Sequence, residues 1–136
     1  MSRPNPADVL TAVVAKLLAT AAVTARVGTR VYNHTPQDQR DFPYLRVRLS
    51  RLPQDDTKTS RGLDCDVIVE GWTNYDGDKE ALELAAIVDE ALDMATLTLA
   101  GGQQVVFIQY VDAMVNDPPD DLPRSVFQTY HLKATT

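Results

Sequence analysis

Few side chains in this 136-residue chain are of types that do chemistry, and their spacing leaves each with little to work with. The two histidines are His34 and His131, and Cys65 is the single cysteine. Metal binding or proton transfer by histidine needs a second ligand or an acid–base partner at a suitable spacing. His34 lies in the polar loop NHTPQDQRDF without one, and His131 alternates with Phe127 and Thr129 with no nucleophile or acid beside it. Cys65 shares one side of an alternating segment with Val67 and Val69, where a thiol acts as a small buried hydrophobe. Asp76, Gly77 and Asp78 begin like a calcium loop, but neither the glycine at the sixth position nor the acid at the twelfth follows, so the reading is a turn and a helix cap. Asp117, Asp120 and Asp121 form an acidic, proline-stiffened turn with no histidine or rigid spacing to hold a cation. Gly101 and Gly102 lack the lysine and hydroxyl that would close a phosphate loop. The expectation from these residues is no recognisable catalytic, metal or cofactor set.

The stretch Phe42 to Trp72 organises the rest. In FPYLRVRLSRL, Leu45, Val47 and Leu49 fall on one side while Tyr44, Arg46, Arg48 and Ser50 fall on the other; in DCDVIVEGW, Cys65, Val67 and Val69 oppose Asp64, Asp66, Ile68 and Glu70. Strict alternation predicts two half-buried strands, paired antiparallel, with Arg46 and Arg48 set against Asp66 and Glu70 on the outer face. The polar segment Pro53 to Gly62 between them is longer than a tight hairpin needs and suits a docking arm.

Upstream, Asn5 and Pro6 predict a helix start, with Val9, Leu10, Val13, Val14, Leu17, Leu18 and Ala21 as its apolar stripe and an end near Thr24, before Gly28. A short strand is expected over Thr29 to Tyr32. Downstream, Asp76 or Asp78 caps a second helix with Leu84, Ile87, Val88, Ala91 and Leu92 inward and an acidic outer side. Thr96 to Leu99 reads as a short strand, QQVVFIQYVDAMV as a long one and Arg124 to Lys133 as the last. Runs of strands between two helices predict one α+β domain over residues 1–136, with a mainly antiparallel four- to five-stranded sheet and both helices on one face.

Charge is unevenly spread. Residues 1–61 hold ten Lys and Arg against five Asp and Glu, and residues 62–136 hold three against fourteen, for a net −6. The total argues against general nucleic-acid binding. The split either gives complementary faces for head-to-tail association or is neutralised within the fold. With no run of eighteen apolar residues and no apolar N-terminal stretch, neither a membrane span nor a signal peptide is expected, and the chain is placed in a cytoplasm.

The order of features across nearly the whole chain resembles the tail-terminator (tail-completion) proteins of long-tailed phages, prophages and gene-transfer particles. The resemblance is carried by the helix with its VGTRVY exit, the loop closed by FPYLRV, DCDVIVEGW, the helix KEALELAAIVDEAL, the hairpin after it and the final strand with His131. It implies a non-enzymatic virion protein at the head-proximal end of the tail, assembled in the host bacterial cytoplasm. Its role would be to form a homo-hexameric ring that caps the tail tube, ends polymerisation and meets the head connector or stopper protein. DNA would pass through the ring without specific binding. The partners implied are further copies, the major tail tube protein and the connector; no cofactor, metal or membrane is implied. Contact residues expected from exposure are Arg46, Arg48, Arg51, Asp55, Asp56, Lys58, Arg61, Asp66 and Glu70. A head–tail adaptor or stopper is the nearest alternative, and a small cytoplasmic enzyme of unknown reaction a distant one.

Overall fold

The computed structural model describes residues 4–33, 41–51, 54–56, 61–74, 79–99, 103–116 and 123–135, with residues 51, 54–56 and 61 described by their backbone alone. In chain order the elements are α1 (Pro6–Ala19), α2 (Ala21–Val27), β1 (Val31–Tyr32), β2 (Tyr44–Arg51), β3 (Gln54–Asp56), β4 (Arg61–Thr73), α3 (Lys79–Leu92), β5 (Gln104–Asn116) and β6 (Arg124–Thr135). The fold is α+β. The sheet order is β1-β2-β4-β6-β5, with β3 pairing alongside the first residues of β4. Every pairing is antiparallel except the short parallel one between β1 and β2.

Alternation along β4 fixes which face carries the helices. Leu63, Cys65, Val67 and Val69 are buried in the core with Leu45 and Val47 of β2 and Tyr130, Leu132 and Ala134 of β6. Each large apolar side chain so buried contributes roughly 1.5–3 kcal/mol from its removal from water. The three helices close this face: Val9, Val13 and Leu17 of α1, Val23 and Val27 of α2, and Leu84, Val88 and Leu92 of α3 all join the core.

Two expectations about the helices are corrected. Where one N-terminal helix was expected, there are two, meeting at 85°. Thr20 makes the break: its extended backbone (φ −92°, ψ 114°) ends α1, its hydroxyl donates to Lys16 O (2.8 Å), and its own carbonyl accepts from Val23 and Thr24 to start α2. The start is as the sequence indicates, with Asn5 Oδ1 accepting from Ala7 N–H at 2.9 Å. The second correction concerns burial. Leu10, Val14 and Leu18 were placed on the same inward stripe as Val9, Val13 and Leu17, but they lie to one side, partly covered, and Leu18 is 38% exposed.

The strands agree more closely with the sequence. Instead of a strand at Thr96–Leu99 there is a single bridge from Thr98 to Gln104. The segment Pro53 to Gly62 is not wholly a loop, since β3 lies inside it and β4 begins at Arg61. The Asp76/Asp78 cap, the Gly101-Gly102 turn, His34 and the Asp117, Asp120, Asp121 cluster lie outside the described residues.

Gly71 sets how closely α3 approaches the sheet. A Cβ at this position of β4 would lie 3.2 Å from Leu84 Cδ2 and 3.7 Å from Leu45 Cδ2. Gly71→Val is expected to destabilise the fold by about 1–3 kcal/mol through overpacking. Denaturant titration checks this, and a variant as stable as the parent would mean that α3 is not seated tightly on β4.

Candidate functional site

The helix-free face of the sheet gathers most of the residues of interest in three zones. At one end is an aromatic cluster. Tyr44 and Trp72, partners in the β2–β4 register, stack at 6.2 Å; Tyr32 and Phe42 pack on Tyr44 at 5.7 and 5.4 Å, and Phe127 packs on Trp72 at 5.9 Å.

Beside it lies a charge cluster centred on Glu70. This carboxylate is buried, its side chain 2% exposed, and it is held from three directions. Arg48 Nε donates to Oε2 at 2.7 Å, Trp72 Nε1 donates to Oε1 at 3.0 Å, and Arg46 Nη1 approaches Oε1 at 3.5 Å. Two guanidiniums therefore share one carboxylate, leaving a surplus positive charge on a face where both arginines are about one-third exposed (31% and 37%). The buried Nε of Arg46 has no hydrogen-bond partner, which offsets part of what the cluster contributes.

The third zone is built around His131 of β6, which sits between two aspartates of β4. Its Nε2 is 2.8 Å from Asp64 Oδ1 and its Nδ1 is 3.3 Å from Asp66 Oδ1, with the Phe107 ring 5.5 Å away. The Asp64 contact is close in distance but not directed as a hydrogen bond, since Asp64 Oδ1 has no hydrogen-bond partner. Sequence reading found no acid near His131 because the two aspartates reach it across the β4–β6 ladder, where Asp66 lies opposite it. Among the described residues no group of three or more His, Cys, Asp or Glu is arranged to hold a metal ion.

The structure thus brings Arg46 and Arg48 to Glu70, as expected, but takes Asp66 to His131. Glu70 was expected as an exposed contact and is instead internal, so reversing the charge of either arginine would place like charges on a buried carboxylate and disturb the strand pair itself. The side chains of Arg51, Asp55, Asp56 and Arg61, and Lys58 as a whole, lie outside the described residues. Cys65 is core, with its pKa pushed up to about 12 by burial and then by Asp64 and Asp66, so it is an unreactive thiol. On the helix side, burial and the nearby Asp89 carboxylate, 3.3 Å from its hydroxyl, raise the pKa of Tyr130.

What sequence reading missed is at the sheet margins. Val106, Tyr110, Val111, Met114 and Val115 of β5 are all exposed. At the other margin a groove of about 360 Å³ opens between α1 and β1, lined by Leu10, Val14, Leu18, Val31 and Tyr32 among others. The described sheet thus carries apolar surface at both ends.

The family model described as "Tail completion protein gp17" matches residues 11–133. The chain belongs to this family. It is thereby a phage-tail structural protein, as the resemblance implied. Among solved structures, a chain of the "Virion of native gene transfer agent (GTA) particle" is similar with a TM-score of 0.86 and 24% sequence identity, covering 96% of this chain and 96% of that one, a likeness of fold. No curated protein matches.

Two measurements test the site. Glu70→Gln leaves Arg46 and Arg48 without their counter-charge and is expected to cost about 1–3 kcal/mol, less than a fully buried pair because both arginines reach water; an unchanged denaturation midpoint would show the cluster to be energetically idle. Cys65 and Tyr130 are neutral acids with raised folded pKa values, so each contributes stability that is complete below its unfolded pKa and lost as pH rises towards its folded one. Stability should therefore decline above about pH 9, near the ordinary thiol pKa, and less steeply in Cys65→Ala. An equal decline in both would remove Cys65 from the account.

Proposed function

We propose that this tail-completion family member forms a ring, six-fold by the resemblance, that caps the tail tube at its head-proximal end, stops polymerisation and offers a surface to the head connector. The observation that carries this reading is the family match over residues 11–133. Physical support comes from the sheet. It ends in β1 on one side and β5 on the other, two unlike edges, and contact between unlike surfaces closes into a ring when the rotation between copies is right.

The uneven charge favours the same reading. A net charge of −6 suits a passage through which DNA slides without specific binding. The ring is not an enzyme in this reading, and its partners are its own copies, the tail tube protein and the connector.

Native mass spectrometry across a concentration and salt series is expected to give a six-fold species that weakens as salt rises. In parallel, the chain is expected to be retained by tail tube protein. Retention by the head connector alone, with no affinity for the tube, would replace this reading with that of a connector adaptor.

A further inference from the structure

We infer that the exposed C-terminal half of β5 in one copy docks against β1 and the α1–β1 groove of a second copy, extending the sheet from subunit to subunit. The inference rests on the ring reading above and specifies its interface.

The edge of β5 is closed along only part of its length. Over its first half, Met94 N–H donates to Ile108 O at 2.8 Å, Tyr110 N–H donates to Asp93 Oδ1 at 2.9 Å, and Thr98 bridges to Gln104. From Val111 to Val115 every residue is exposed, and among the described residues only β6 pairs with this stretch. Val111, Met114 and Val115 are 53%, 63% and 44% exposed. An open strand edge flanked by apolar side chains is a template for pairing.

Register decides where those side chains point. Ala113 and Val115 lie opposite Gln128 and Val126, buried on the helix side, whereas Asp112 and Met114 lie opposite Thr129 and Phe127 on the helix-free side. A docking surface must therefore offer apolar space on the helix side of an open strand. Among the described strands β1 pairs only with β2, and the groove beside it under α1 is lined by Leu10, Val14 and Leu18 on the helix and Val31 on the strand.

Strand direction agrees. β1 runs parallel to β2, and the steps from β2 to β4, β6 and β5 are each antiparallel, so β5 runs antiparallel to β1. All copies in a ring share one sense along its axis, so β5 of one meets β1 of the next in the antiparallel arrangement, with helix faces on the same side. Val115 then enters the groove. Charge agrees too: β5 carries Asp112 and no cation, whereas the β2 side carries Arg46 and Arg48 sharing one carboxylate.

The test uses Val115→Asp and Leu18→Asp, both at exposed positions, checked for parental circular dichroism. Under conditions where the parent assembles, alone or on tail tubes, each variant is expected to weaken self-association by at least about tenfold, since either buries a carboxylate in an apolar contact. Mixed one to one, the two variants should form heterodimers that grow no further, because one intact strand meets one intact groove. A second arm joins Val115→Cys to Leu18→Cys in a Cys65→Ala background, with an oxidised ladder of oligomers expected. A parent that assembles while both aspartate variants assemble equally well and the cysteines stay unlinked overturns this interface and leaves the ring standing. A parent that never assembles, even on tubes, overturns the ring and this interface together.

Discussion

The fold depends on the period of two along β4. Once Leu63, Cys65, Val67 and Val69 face one way, Asp64, Asp66, Ile68 and Glu70 must face the other, and the 13-residue strand lies at the middle of the sheet. Every helix is confined to the apolar side, because only there can an apolar stripe be covered. The opposite side carries polar groups that pair locally, with Arg46 and Arg48 on Glu70 and His131 set between Asp64 and Asp66.

A single helical layer over a long sheet has a geometric consequence. α3 covers β4, β6 and the near half of β5, and α1 covers β2 with its Val9, Val13, Leu17 side while its Leu10, Val14, Leu18 side overhangs the margin. Among the described residues, neither end of the sheet is fully covered. A tail-completion protein is made to meet other chains, and apolar surface left at both ends of the sheet is where such meetings bring the largest gain from water release.

Much of this was legible in the sequence, and the reasons for success and failure are physical. The alternation of β2 and β4, the Asn5 cap and the inward set Leu84, Val88, Ala91, Leu92 of α3 are local patterns, and local patterns can be read from spacing. The break at Thr20 was hidden, because a threonine inside an apolar helical run gives no strong stop signal. The partners of His131 were hidden because they stand across a ladder, 65 residues away in sequence for Asp66. Exposure was the least legible. Glu70 reads as surface and is buried by two arginines and a tryptophan, while the long strand QQVVFIQYVDAMV reads without a burial pattern, and its Val111, Met114 and Val115 are exposed at a margin; composition cannot report how far a neighbouring helix reaches.

The central claim is that copies of this chain close a ring on the tube end. The most direct test is electron microscopy of tail tubes polymerised from tube protein in the presence of this protein. The account predicts tubes of arrested length, each with a six-fold cap at one end and bare walls. Tubes of unaltered length, or protein bound along their sides with bare ends, would contradict it.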